Sequence, residues 1–323
     1  MPDLPVWLLL HFLLAAAATQ AARAYALRRR LLDQPGERRS HTVATPRGGG
    51  IAVVLSVLLA ALWLAMLAAG KDRMLFGSFA IGLALVAGIG WWDDHRPLSP
   101  WLRLAVQAIA ASILGWGLYQ AGTGPWPALT ALVMALVLVN VWNFMDGIDG
   151  IASSQAAIAA SAYFWVLNGP WAALAASLLA ACLGFLPFNF PKARIFLGDV
   201  GSGALGYTLA ALLAVSLQTS SLAWPLLLLP LAVFLVDAGF TLISRMLAGE
   251  RWWTPHVTHV YQQAAFRFGH VRVTGAYFLL GAVTLMLMLL LSRASLQSAL
   301  MILPGCGLVL LALWLGARKG LKI

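Results

Sequence analysis

Apolar stretches long enough to cross a lipid bilayer recur along almost the whole of this chain. That recurrence constrains the fold more than any motif does. Eleven such stretches are readable, at 4–22, 51–69, 74–92, 102–120, 127–141, 151–167, 170–188, 201–217, 222–243, 273–291 and 296–315. A crossing helix needs about 20 apolar residues. Backbone in hydrocarbon must satisfy its own hydrogen bonds, which leaves helices and closed barrels. No stretch alternates with a period of two for the length a barrel strand needs, so an all-α polytopic membrane protein with about eleven transmembrane helices is expected. The stretches at 127–141 and 151–167 are short and polar-flanked, and are the weakest of the set. Composition agrees: 61% of residues are apolar and 10% are charged, with a mean hydropathy of +0.86. A soluble domain carries about 25% charged residues, so a water-soluble enzyme is excluded, and a disordered chain with it. Cys182 and Cys306 lie inside apolar runs, where neither a disulfide framework nor a thiolate metal site is expected.

The net charge of +10 reports orientation in the membrane and not affinity for nucleic acid. The first basic residue, Arg23, follows the first apolar run, the reverse of a cleaved signal peptide. Basic residues accumulate in cytoplasmic loops. Placing Arg23, Arg28, Arg29, Arg30, Arg38, Arg39 and Arg47 inside, and counting eleven crossings, leaves only Lys71, Arg73 and Arg293 of the 21 basic residues outside. The N-terminus is then periplasmic and the C-terminus cytoplasmic. The chain reads as one transmembrane domain over 1–323, with cytoplasmic loops at 23–50, 92–101, 142–150, 189–203 and 245–272.

The acidic residues fall on the same side. Asp93 and Asp94 end the third stretch, Asp146 and Asp149 follow the fifth, and Asp199 precedes the eighth. A carboxylate at a membrane boundary is expensive and is by default a functional candidate. Asp146 and Asp149 share a face if Asn143-Phe144-Met145-Asp146-Gly147-Ile148-Asp149-Gly150 is helical. Asp93 and Asp94, being adjacent, point apart on a helix, so a divided role is expected of them. Carboxylates this close repel unless a hard cation joins them, and Mg²⁺, which keeps phosphate oxygens among its ligands, is the natural one. Each of these acids taken alone has a plainer reading, as a helix cap or a partner of Arg96 or Arg103. Asp33, Glu37 and Glu250 sit among arginines and read as ordinary ion pairs. Asp237, inside the ninth stretch, either neutralises Arg245 or joins the site, and the structural reading is favoured.

Anion binders lie nearby. Arg47-Gly48-Gly49-Gly50 opens the second stretch, and Gly198-Asp199-Val200-Gly201-Ser202-Gly203 opens the eighth. Glycine-rich entries to helices offer free N–H groups to phosphate, although glycine also serves close helix packing in membranes. The long polar stretch after Arg245 carries His256, His259 and His270, expected at phosphate or sugar, and Trp252-Trp253, expected as an interfacial anchor. Zinc is disfavoured, since no cysteine or third ligand stands at metal spacing. His11 and His95 show no pattern and read as satisfied polar groups. Basic groups, a divalent cation and helix N-termini at a lipid surface point to phosphoryl transfer with a lipid substrate. A transporter using intramembrane carboxylates is the alternative. Its acids belong near the bilayer midplane, where only Asp237 lies.

Taken together, the segments around Ser40-His41, Arg47–Gly50, Asp93-Asp94, 143–150, 189–203 and His256-Val257-Thr258-His259-Val260-Tyr261-Gln262 resemble the polyprenyl-phosphate N-acetylhexosamine-1-phosphate transferases. The resemblance runs from about Arg38 to Gln262. It implies a bacterial inner-membrane enzyme that moves a sugar-1-phosphate from a UDP-N-acetylhexosamine to undecaprenyl phosphate, releasing UMP. Such a step initiates a surface glycan such as O-antigen. It further implies Mg²⁺, with Mn²⁺ as a substitute, held by Asp199 and Asn143. Asp93 and Asp94 would be the catalytic acids, with Asp93 deprotonating the lipid phosphate. Asn189 and Phe196 would contact uridine, Asp146, Asp149 and Arg47 would line the nucleotide pocket, and His256 and His259 would meet diphosphate or sugar. The chain departs from the muramoyl-pentapeptide translocase, which has three consecutive histidines at the last motif, and this points to a simple N-acetylhexosamine donor. The oligomeric state is open, a homodimer being one arrangement.

Overall fold

The computed structural model describes residues 3–34, 36, 43–251, 254 and 256–321. Glu37, Arg38, Arg39, Ser40, His41, Trp252, Trp253 and Lys322 lie outside the described residues, and with them the Ser40-His41 motif and the tryptophan anchor.

Each of the eleven expected crossings is met by a helix. They are α1 (Leu4–Arg29), α2 (Ile51–Leu67), α3 (Gly70–His95), α4 (Pro100–Leu118), α5 (Pro125–Phe144), α6 (Ile151–Val166), α7 (Gly169–Asn189), α8 (Gly198–Thr219), α9 (Ala232–Leu247), α11 (His270–Leu290) and α12 (Leu296–Leu321). A 3₁₀ turn over Trp224–Leu231 leads into α9. Between α9 and α11 lies α10 (Val260–Phe268), a short amphipathic helix that hydropathy did not reveal. Among the described residues, nine helical segments are long and apolar enough to cross a membrane, α9 counted with its lead-in. The chain is therefore a multi-pass, all-α membrane protein. The fifth crossing, expected to be short, is a full 20 residues. α2 and α6 are short, at 17 and 16 residues, as is the 16-residue α9 until its lead-in is counted, and α6 is sheltered by its neighbours along nearly its whole length. One two-residue antiparallel ladder, Leu32–Asp33 (β1) against Thr45–Pro46 (β2), is the only strand pairing among the described residues.

The bundle is organised around α8, whose apolar window is 94% buried, against 11% for α12 at the periphery. α3, α5, α6, α7 and α2 surround it. Its sequence explains the position: glycine, alanine and serine lie on all its faces, and small residues let helices approach closely where no hydrophobic effect drives association. A Cβ on Gly206 would lie 2.2 Å from the Leu138 carbonyl oxygen of α5. One on Gly50 would lie 2.2 Å from the Gly201 Cα. Both neighbours are backbone, which cannot rotate away. Gly206→Val, about two turns along α8 from Asp199, is expected to destabilise the protein by about 3 kcal/mol or more, at the upper end of overpacking costs. A detergent-purified variant with an unchanged thermal midpoint would refute that packing.

Candidate active site

The ends of α3, α4, α5, α7, α8 and α9 that carry the polar motifs all lie at one end of the bundle. α3 delivers Asp93 and Asp94 in its last turn, and the two diverge as their adjacency predicts. Asp93 Oδ1 accepts the Leu98 N–H at 2.6 Å, and its Oδ2 accepts from Arg103 Nη1 at 2.6 Å. Asp94 turns to α8. Its Oδ1 accepts the Asp199 N–H and its Oδ2 the Val200 N–H, both at 3.1 Å. Asp94 is only 2% exposed. It serves as the N-terminal cap of α8, supplied by another helix, where a carboxylate meets unpaired amides and the positive end of the helix dipole.

Arg103 is the residue that ties the cluster together, although the sequence offered it only as an ion-pair partner for these acids. Its Nη1 also donates to Asp199 Oδ2 at 2.9 Å, and its Nη2 donates to Asn143 Oδ1 at 3.3 Å. Asn143 completes the circuit, its Nδ2 donating to Asp199 Oδ1 at 2.9 Å and to Ser202 Oγ at 3.1 Å. Asp93, Asn143 and Asp199, distributed over 106 residues of sequence, thus meet around one guanidinium. A signal for Arg103 was available: Ser99 caps α4, accepting the Leu102 N–H at 3.2 Å, and Pro100 opens it. Arg103 therefore falls in the first turn, where a helix disfavours positive charge, so its partner had to come from elsewhere.

The glycine-rich loops behave differently from the expectation that they cradle phosphate. Gly49 N–H donates to the Phe196 carbonyl at 2.8 Å, Gly50 N–H to that of Leu197 at 2.7 Å, and Phe196 N–H to that of Pro46 at 2.7 Å. With the Asp199 and Val200 amides held by Asp94, these loops spend their donors on each other. Their glycines permit the approach of α2 to α8, so here packing prevails over anion binding. Arg47 folds inward and donates to the Asp94 carbonyl oxygen, while its Nε is buried without a hydrogen-bond partner.

Residues 145–150 are a turn, not a helix, so Asp146 and Asp149 do not share a helical face. Gly150, at φ 75°, makes the reversal into α6. Asp149 is held structurally: its Oδ2 accepts the Ala193 N–H at 3.1 Å, and its Oδ1 lies 3.2 Å from His270 Nδ1. Asn189 is likewise committed, its Oδ1 accepting the Gly150 N–H at 2.9 Å and its Nδ2 donating to the Ile195 carbonyl at 3.0 Å. These two bind the 143–150 turn to the 189–197 loop, in which Phe190 packs against Gly150 and Phe196 is half-buried. Asp146 faces the other acids. Loss of hydration, then the charges of Asp199, Asp94 and Asp149, push its carboxyl well above the usual carboxylate range.

A raised carboxyl pKa has a defined sign in stability. The protonated form is favoured on folding, so that contribution is complete below the unfolded value of 3.8 and is lost as pH rises towards the folded value. In chelator, Asp146→Asn is expected to melt progressively higher than the wild type as pH rises from acid to neutral. Parallel melting profiles would refute the repulsion.

The histidine motif docks on α5. Tyr261 Oη donates to the Phe144 carbonyl at 2.8 Å, and the His259 ring stacks against Phe144 with centroids 6.3 Å apart. His256 and His259 are ring neighbours at 4.8 Å. Burial lowers the His259 pKa, and its Nδ1, 3.9 Å from Asp237 Oδ1, is buried without a hydrogen-bond partner. Asp237 does not pair with Arg245. It caps α10, accepting the Val260 and Tyr261 N–H groups at 3.1 Å each and the Tyr277 hydroxyl at 2.6 Å. Arg245 instead pairs with Glu250 at 2.6 Å, the ordinary ion pair expected of that acid. Among the described residues no group of three or more His, Cys, Asp or Glu side chains forms a metal cluster. The oxygen set at Arg103 owes its third donor to an asparagine. His11, at 2.8 Å from Ser56 Oγ, and His95, at 2.8 Å from the Trp91 carbonyl, have the polar partners expected of them.

A helical membrane bundle that gathers carboxylates, an asparagine and an arginine at one end defines a polytopic enzyme working on a phosphorylated substrate at the bilayer surface. Residues 76–217 match the model of glycosyl transferase family 4. The chain is 32% identical over 297 residues to the decaprenyl-phosphate N-acetylglucosaminephosphotransferase of Mycolicibacterium smegmatis, covering 78% of this chain and 73% of that protein. It is 29% identical over 299 residues to the probable undecaprenyl-phosphate N-acetylglucosaminyl 1-phosphate transferase of Bacillus subtilis, covering 84% and 80%. The phospho-N-acetylmuramoyl-pentapeptide-transferase of Thermosynechococcus vestitus matches over 195 residues at 36%, about half of each chain. The protein belongs to glycosyl transferase family 4.

Proposed function

We propose that this protein transfers an N-acetylhexosamine-1-phosphate from a UDP-sugar to undecaprenyl phosphate, releasing UMP and initiating a surface glycan such as O-antigen. The observation that carries the reading is the convergence of Asp93, Asn143, Asp199 and Arg103 from four helix ends at one face of a membrane bundle. A transporter would place its charges near the midplane on broken helices. Here the one acid deep in a helix, Asp237, is consumed in capping α10. The relatives that align over most of this chain are named for N-acetylglucosamine phosphate transfer to polyprenyl phosphates. The muramoyl-pentapeptide enzymes align over a shorter part, in keeping with the single, separated histidines of the last motif.

In this reading a lipid phosphate oxygen attacks the β-phosphorus, a new P–O bond forms, and the bond to the UMP oxygen breaks. Asp199 Oδ2 and Asn143 Oδ1, with Asp93 Oδ2 beside them, already face the two terminal nitrogens of one guanidinium, and the first two are donors that suit a hard divalent cation. Mg²⁺ held there would offset the charge that develops on the diphosphate. Asp93, at lipid-headgroup depth, takes the acceptor's proton and orients its phosphate. Asp94 positions Asp199 through the α8 amides. Phe196 offers a face to the uracil ring, and His256 and His259 stand at the sugar side. Positioning and electrostatics supply most of the rate in such a transfer. Purified protein incubated with UDP-N-acetylglucosamine, undecaprenyl phosphate and Mg²⁺ should release UMP and form a lipid-linked sugar diphosphate in equal amounts. UMP release without the lipid product, or neither with any UDP-N-acetylhexosamine, would reject the assignment.

The site faces the cytoplasm of a bacterial inner membrane in this proposal, where UDP-sugars are made. The support is the charge pattern of the sequence, in which eleven crossings assign 18 of the 21 basic residues to the loops of that side. A reporter fused after Lys192 is expected to read cytoplasmic, and one at Lys71 or Arg293 periplasmic. A periplasmic Lys192 fusion would invert the topology.

A further inference from the structure

The chemistry left unexplained by this scheme is that of Arg103. Its Nη1 stands 2.6 Å from Asp93 Oδ2 and 2.9 Å from Asp199 Oδ2, with Nη2 3.3 Å from Asn143 Oδ1. Asp199 Oδ2 and Asn143 Oδ1 would ligate a divalent cation, and Asp93 Oδ2 would lie beside it. Magnesium draws its ligands to about 2.0–2.1 Å, so the two ligand oxygens cannot close on an ion while the guanidinium stands between them. The position is costly for an arginine in isolation, in the first turn of α4 with the helix dipole opposing it. It is favourable only because two carboxylates, unbalanced without it, accept from one nitrogen. Asn143 and Ser202 hold the rest of the cluster in place whether or not the arginine is there.

We propose that Arg103 is the resident cation of the metal seat: the guanidinium and the divalent ion occupy it alternately, and metal entry drives Arg103 out towards the donor's diphosphate. The inference rests on the phosphotransferase reading above for the identity of the seat. Guanidinium suits such an exchange because its fork pairs as well with a phosphate as with two carboxylates. A seat never left bare also spares Asp93 and Asp199 their mutual repulsion while the enzyme waits for substrate.

The test uses full-length protein in detergent, without substrate, with Mn²⁺ binding read by electron paramagnetic resonance and thermal midpoints taken with and without saturating Mg²⁺. Arg103→Gln is expected to bind Mn²⁺ about tenfold more tightly than the wild type. It should melt several degrees lower in chelator, and that gap should close in Mg²⁺, because the wild-type arginine has by then been displaced. Arg103→Lys keeps the charge but cannot span both carboxylates and Asn143, so it should also bind Mn²⁺ more tightly than the wild type. A lysine variant with wild-type affinity would reduce the effect to through-space charge and overturn the exchange. A melting gap that persists unchanged in Mg²⁺ would do the same, marking Arg103 as a fixed structural partner. Mn²⁺ binding to none of the three proteins would instead remove the metal seat itself, and with it the reading on which the exchange depends.

Discussion

Asp199→Asn is expected to abolish turnover, lowering kcat by on the order of 10³-fold or more, a loss typical of removing a group that stabilises transition-state charge. The change is nearly isosteric. The amide oxygen can still accept from Asn143 Nδ2, as Asp199 Oδ1 does at 2.9 Å, and the backbone N–H still reaches Asp94. What disappears is the negative charge that faces Arg103 at 2.9 Å. Its place is taken by an NH₂ that cannot accept from the guanidinium, so the protein should still fold, melting somewhat below the wild type, while UMP release falls to background. Near-normal activity with unchanged Mg²⁺ dependence would move the metal-binding role elsewhere. A collapse of folded yield would show that the charge is needed for assembly before it is needed for chemistry.

Asp94→Asn should fail for a different reason. Both Asp94 oxygens accept amides at the start of α8, at 3.1 Å each. An asparagine can accept one and must turn its NH₂ towards the other. One buried amide is then unsatisfied and a favourable charge at the helix N-terminus is lost, a cost of about 2–4 kcal/mol. Because α8 is the central helix and Asp199 sits in its first turn, both stability and turnover should fall together. Asp93→Asn should not behave this way: Asp93 accepts from the Leu98 N–H and from Arg103 and touches none of the buried α8 amides, so its loss should lower kcat with the fold intact. Thermal midpoints and rates measured on the same two preparations decide the matter. Should Asp94→Asn melt like the wild type and lose only kcat, Asp94 would be the base and the division of labour between the pair would be reversed.

The contrast within this aspartate pair shows what could be read before the fold was known. Adjacent side chains on a helix diverge, so a divided role was legible, but the direction of each was not. It depends on α8 crossing beneath α3, a contact between residues 105 apart in the chain. Asp237 teaches the same lesson. Its placement inside an apolar helix marked it as a group needing a partner, and the local candidate was Arg245. The partner is α10, a nine-residue helix without enough apolar residues to register in hydropathy. The glycine loops were ambiguous in principle, since the same residues serve phosphate and close packing. The 2.2 Å that a Gly50 Cβ would leave to Gly201 decides for packing there.

Sequence alone determined that this chain is a bundle of membrane helices, because length and hydropathy act residue by residue and need no partner. It also determined which residues are chemically out of place in such a bundle, since a carboxylate at a membrane boundary is expensive wherever it lies. Tertiary structure alone decided which of those charges meet. Arg103 stands between Asp93, Asp199 and Asn143 because four helix ends converge, and Asp149 and Asn189 are spent on holding two loops together. Side-chain partners across helices follow from crossing geometry, and that geometry is set by where glycine and alanine let two backbones touch.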